Sequence, residues 1–127
     1  MANEEAVLAA FSLMQAHIEA LNNHDESALA ATLHFPHYRL SETNLAVWES
    51  AESYFTDFKA RSGGQWAHSA FKDIRVVQTS ANKVHLDAEI NRYNSNNEII
   101  ARFRSLWVIT HEDGRWAAKF RSSFAAT

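Results

Sequence analysis

The chain has 127 residues, 46% hydrophobic and 21% charged, which suits one globular domain over residues 1–127 with a core of its own. Twelve Lys and Arg against fifteen Asp and Glu leave a net charge of −3, the wrong sign for a nucleic-acid binder. Cysteine is absent, which excludes disulfides, thiolate zinc sites and cysteine nucleophiles.

Helices come first. Val7, Phe11, Met14, Ile18 and Leu21 recur at spacings of four, three, four and three, one face of a helix capped by Asn3 and ended by Asn22-Asn23-His24. Asp25 caps a short second helix carrying Ala28, Leu29 and Leu33. Pro36 forbids a helix interior, so His37 to Ser41 reads as an edge strand. Glu42-Thr43-Asn44 turns, and Leu45-Ala46-Val47 pairs back. Ser50 caps a third helix with Ala51, Tyr54, Phe55 and Phe58 on its apolar side, stopped by Gly63-Gly64.

Strands follow. Trp66 to Thr79 is a long strand with a bulge near Ala70-Phe71. After the turn at Ser80-Ala81-Asn82, Val84, Leu86, Ala88 and Ile90 alternate with His85, Asp87, Glu89 and Asn91, giving one buried and one wet face. Asn94 to Asn97 is a hairpin tip. Ile99, Ala101, Phe103, Ser105, Trp107 and Ile109 form the next inward row, and Asp113-Gly114 is a strong turn signal. Trp116, Ala118, Phe120, Ser122 and Phe124 complete the last strand. The pattern predicts an α+β fold, with three N-terminal helices packed on a strongly curved, mixed but mainly antiparallel sheet: a cone with an internal pocket. On the outer face Leu106 and Val108 interrupt the polar row begun by Arg102 and Arg104, so a homodimer through the outer sheet face is expected.

This layout resembles the nuclear transport factor 2-like superfamily, the α+β cone of SnoaL-like cyclases, ketosteroid isomerase and scytalone dehydratase. The resemblance rests on Ala20-Leu21-Asn22-x-x-Asp25 and on Leu106-Trp107-Val108-Ile109 through Asp113-Gly114-Arg115-Trp116. Phe35-Pro36-His37-x-Arg39 and Arg121-Ser122-Ser123-Phe124 are similar to an uncharacterised bacterial subgroup. Threaded on ketosteroid isomerase, the resemblance puts its tyrosine at His17, its carboxylate base at Ser41 and its oxyanion-hole aspartate near Ser105. None matches in type, so that mechanism is not carried over. It implies only that residues 17, 41 and 105 face one cavity.

His37, Arg39 and Ser41 share strand parity, as do Trp66 and His68. The expected site therefore places His37 or His68 as acid or base and Arg39 against an anionic or carbonyl oxygen. Its ligand-binding wall is His17, Ser41, Tyr54, Phe58, Trp66, Phe103, Ser105 and Trp107. His34-x-x-His37 spans opposite faces of an extended segment, so no metal is expected, and no cofactor. The expected partner is a small aromatic or carbonyl-bearing molecule, with no nucleic acid. No apolar run approaches the roughly 18 residues of a membrane span. Met1-Ala2-Asn3-Glu4-Glu5 lacks the basic and apolar regions of a signal peptide, so a cytoplasmic location is expected. The activity expected is a cofactor-independent isomerisation, dehydration or cyclisation; the alternative is a non-catalytic dimerisation or ligand-carrier module.

Overall fold

The computed structural model describes residues 2–62 and 64–124. Three helices, α1 (Ala2–Asn22), α2 (Glu26–Ala30) and α3 (Ala51–Ser62), pack against six strands. The strands are β1 (Leu33–Ser41), β2 (Asn44–Trp48), β3 (His68–Thr79), β4 (Lys83–Tyr93), β5 (Ile99–Glu112) and β6 (Arg115–Ser123). They form one sheet in the order β2-β1-β6-β5-β4-β3. Every neighbouring pair is antiparallel except β1 and β6, which run parallel. The α+β class and the mixed sheet agree with the sequence. The sheet is open, with β2 and β3 as its two edges.

Local chemistry sets the boundaries. Asp25 Oδ1 accepts from Ala28 N at 3.1 Å, and Ser50 Oγ from Ser53 N at 3.2 Å, so both expected caps form. Asp113 and Gly114 take φ of 54° and 76°, the paired positive values of a tight hairpin turn. Gly63, expected to end α3, lies outside the described residues. Two boundaries differ from expectation. Asn3 falls inside the first turn of α1, which begins at Ala2. Leu33 belongs to β1 rather than to α2, and is fully buried. The register of β1 on β6 breaks between Leu33 and Tyr38, around Pro36, whose nitrogen has no hydrogen to donate.

The buried face of α1 is rotated from the expected one. Met14, Ile18 and Leu21 of the expected stripe are buried, joined by Ala6, Ala10, Leu13 and His17, while Phe11 is 36% exposed. Alanine lets the helix backbone approach the sheet closely; a phenylalanine in its place would hold it off. The rotation also carries His17 from the edge of the apolar stripe to its buried centre.

Register shifts interrupt each antiparallel pairing from β3 to β6, the one between β4 and β5 falling at Arg92 and Tyr93. On β3 the register shifts between Phe71 and Asp73, close to the expected bulge, and again between Val76 and Gln78. On β6 it shifts at Lys119: Ala118 opposes Ile109, but Phe120 opposes Val108. Beyond Lys119 the faces exchange, as one inserted residue requires. Phe120 and Ser122 oppose the outward Val108 and Leu106, and Phe124 is 73% exposed. Arg121 and Ser123 oppose the inward Trp107 and Ser105, and are buried. The expected inward row therefore holds for Ala118 and fails from Phe120 onward.

The α1 rotation predicts a contrast between neighbours. Ala10→Leu should destabilise by about 1–3 kcal/mol through overpacking. Phe11→Ser, at the helix edge, should destabilise by less than the cost of deleting a buried aromatic ring, about 3–5 kcal/mol. Urea unfolding of the two variants measures both.

Candidate functional site

The helix-facing side of the sheet carries a polar row where an apolar one would be simpler. In register across β1, β6 and β5 lie Ser41, Ser123 and Ser105; the next row is Arg39, Arg121 and Trp107. All six are buried. His37 precedes Arg39 on the same face of β1, and α1 lowers His17 onto the sheet. From α3 comes Tyr54, fully buried.

Tyr54 is the hub of this group. Its ring meets Trp48 at 5.1 Å, His37 at 5.6 Å and His17 at 6.3 Å, each edge to face. The Arg121 guanidinium lies 5.7 Å from the same ring and 4.8 Å from that of Trp107. His17 packs edge-on against Trp107 at 5.1 Å. Cations over such rings are stabilised by the ring quadrupole. That attraction does not satisfy the guanidinium's hydrogen-bond donors.

Partner chemistry fixes both imidazole tautomers. His37 Nδ1 lies 3.0 Å from Ala118 O, and a carbonyl can only accept, so Nδ1 carries the hydrogen. Thr32 Oγ1 donates to Leu29 O at 2.8 Å, so it must accept from His17 Nδ1 at 2.9 Å. In both rings Nε2 is therefore a bare lone pair. Neither Nε2 has a hydrogen-bond partner, nor does Tyr54 OH or Arg121 Nε. Two acceptors, one donor and one hydroxyl thus stand unsatisfied within one buried cluster. Buried polar groups are almost always paired, with protein, water or ligand.

The charge state follows from the same surroundings. Burial, then the Arg121 guanidinium, then His37 hold His17 well below the usual imidazole range. His37 is pushed down to about 3, by burial first and Arg121 second; its bond to Ala118 pulls weakly the other way. Both rings are neutral at pH 7. The ordinary histidine range, on which the expected acid–base role of His37 relied, does not apply inside this field.

The other expected residues divide. Phe58 is buried and Trp66 packs edge-on against it at 5.0 Å; Trp66 Nε1 donates to Ser69 Oγ at 2.9 Å. Phe103 lies under the Arg92 guanidinium at 4.7 Å. These three stand on the helix side, in an aromatic group of their own. Ser105 Oγ accepts from Trp107 Nε1 at 2.8 Å. His68 is the exception. It opposes Tyr93 in register and stacks on that ring at 4.7 Å and 6°. Tyr93 shares its face with Asn91, opposite the buried row of Val84 to Ile90. His68 is thus on the outer face, and the buried residue beside it is Ser69. The Asn22 side chain fixes that parity by pairing with both Ser69 N and Ser69 O at 2.8 Å.

Sequence reasoning missed Arg121 and Trp48 as site residues. The available signal was Ala117-Ala118: two consecutive small residues, both fully buried, break strict alternation just before Arg121. Among the described residues no group of three His, Asp or Glu could hold a metal ion. No helix among them is long and apolar enough to cross a membrane.

No protein-family model matches the sequence, and no curated protein does. Solved structures do match in shape. A protein of unknown function with a cystatin-like fold from Nostoc punctiforme superposes with a TM-score of 0.73 at 13% identity, over 91% of this chain and 87% of that one. An NTF2-like protein from Cytophaga hutchinsonii gives 0.70 at 19% identity, over 98% and 99%. A candidate ketosteroid isomerase from Shewanella frigidimarina gives 0.68 at 13% identity, over 91% and 94%. The chain has the nuclear transport factor 2-like fold.

Linkage gives the pH dependence. The folded pKa of His37 lies below its unfolded value of about 6.5, so the unfolded chain binds more protons between about 6.5 and about 3. The stability is fully present above pH 6.5 and is lost as pH falls through that window, by about 1.4 kcal/mol per pH unit for each such histidine. Urea unfolding from pH 7 to pH 5 should show this loss. His37→Gln should remove one histidine's share of the slope.

Proposed function

We propose that this protein binds a small polar molecule between the helices and the sheet, at the cluster around Tyr54. In this reading the bulges of β3 and β6 bend the sheet into a cone. The observation that carries the proposal is the set of four unsatisfied polar atoms on His17, His37, Tyr54 and Arg121, each residue more than nine-tenths buried. Leaving one such group unpaired costs about 1–3 kcal/mol, so four together favour an occupant that pairs them. The aromatic rings of Trp48 and Trp107 supply the apolar wall that small-molecule sites commonly have.

Recognition is favoured over acid–base catalysis. A general base is most effective with a pKa near the working pH, and His37 is held far below it. The second reading, an isomerase, dehydratase or cyclase, draws on one observation: the Nε2 of His37 is a buried lone pair without a hydrogen-bond partner, beside the Tyr54 ring. A thermal-shift screen of small metabolites separates binding from none. Compounds that raise the melting temperature of the wild type should fail on His17→Ala and His37→Ala. Hits that survive both substitutions, or a screen with no hit, would defeat the proposal.

The outer face supports the second partner expected. Val47, Tyr38, Phe120 and Val108 lie in one register row across β2, β1, β6 and β5; Leu45, Leu40 and Leu106 flank them. Leu45 and Val47 are 56% and 46% exposed. The β3–β4 half is charged instead, with Arg104 on Glu89 at 2.9 Å and Arg75 on Asp87 at 2.7 Å. We infer a homodimer through the apolar half, since such a patch is uncommon on a monomer. Phe120→Asp should turn a dimer into a monomer in sedimentation, with the fold retained by circular dichroism. A wild type that is already monomeric at high concentration would refute the inference.

A further inference from the structure

The interior is rich in cationic nitrogen and poor in carboxylate. Arg121 is 8% exposed, and its Nε has no hydrogen-bond partner. Arg39 stands next to it in register on β1 and is 2% exposed. The ion pairs Lys72–Glu89, Arg75–Asp87, Arg104–Glu89 and Lys119–Glu112 lie on the outer face or at the β5–β6 hairpin, and none of these four involves Arg121. Asp57, one turn along α3 from Tyr54, accepts from Trp48 Nε1 at 3.1 Å. The buried cation at Arg121 therefore faces two neutral imidazoles and a phenol. An uncompensated buried charge is strongly unfavourable until an opposite charge or strong acceptor meets it.

Resting on the binding reading above, we propose that the ligand is a small hydroxy-carboxylate. Its carboxylate lies along the Arg121 fork, where Nε and one Nη donate side by side to the two oxygens, the geometry in which guanidinium binds such groups best. Its hydroxyl donates to one of the bare imidazole nitrogens of His17 and His37. A plain carboxylate would satisfy Arg121 but leave both lone pairs unfilled, since it has nothing to donate. A neutral alcohol would satisfy an imidazole but not the guanidinium. Tyr54 OH, able to donate or accept, joins the two ends.

The test uses lactate, propionate and lactamide as probes on the full chain at pH 7 and constant ionic strength. Binding is read by calorimetry, and by the nitrogen-15 resonances of the two imidazole Nε2 atoms. Lactate should bind at least about tenfold more tightly than lactamide, the factor that about 1.4 kcal/mol of charge-assisted bonding supplies. Lactate should also shift an Nε2 resonance that propionate leaves in place. Arg121→Gln should lose lactate binding, while Arg104→Gln on the outer face should keep it. Should Arg121→Gln fail to fold, the wild-type resonances alone decide. Equal binding of lactate and lactamide, with an Nε2 shift from each, would overturn the anionic ligand and leave interior binding intact. Calorimetric heat with no imidazole shift from any probe would mark an adventitious anion on the surface and overturn the inference. No heat and no shift from any probe, together with a blank metabolite screen, would overturn both.

Discussion

One extra residue in β6 decides which chemistry each face of the sheet carries. Lys119 is inserted between Ala118, which faces the helices, and Phe120, which opposes Val108 on the outer face. Because side chains alternate with a period of two, every residue after the insertion changes sides. The helix side receives Arg121 and Ser123 in place of Phe120 and Ser122. Without that step the interior would have an aromatic ring where it now has a guanidinium, and the outer face would lose its central aromatic.

Burial and this one charge together set the state of the interior. Burial first, and then the Arg121 guanidinium beside them, keep both imidazoles neutral, because charged rings would lose their hydration and repel the arginine. Neutrality requires one protonated nitrogen per ring, and Ala118 O and Thr32 Oγ1 dictate that it is Nδ1. The Nε2 atoms are then acceptors by elimination. The cluster thus has a fixed pattern, a cationic donor on one side and two lone pairs on the other, with a phenol between. In the proposed site, such a pattern would discriminate between ligands of similar size, because a mismatched group leaves a buried partner unpaired.

The same register step builds the outer face. Phe120 joins Tyr38, Val47 and Val108 in an apolar band, while Asp73, Arg75, Asp87, Glu89 and Arg104 form a charged network beside it. Most of those ion pairs are exposed and contribute little stability each. They stand beside the apolar band of β1, β2, β5 and β6 and bound it on one side, while Val76 and Val77 of β3 are exposed separately.

The chain order of helices and strands, the caps at Asp25 and Ser50, the hairpin at Asp113-Gly114 and the inward parity of His37, Arg39, Ser41, Ser105 and Trp107 were all legible from the residues. Each depends on a period or a cap that neighbouring side chains specify locally. Three things were not legible: the rotation of α1 that buries His17 and exposes Phe11, the outward turn of His68, and the inward turn of Arg121. All three depend on how one element meets another. Close approach to the sheet selects Ala6 and Ala10 over Phe11, the clasp of Asn22 on Ser69 sets the parity of β3, and the pairing of β6 with β5 absorbs Lys119 as a bulge. Local pattern determined the alternation within each element; contact across elements, where one residue of slip exchanges the faces of a strand, decided which side chains reach the interior.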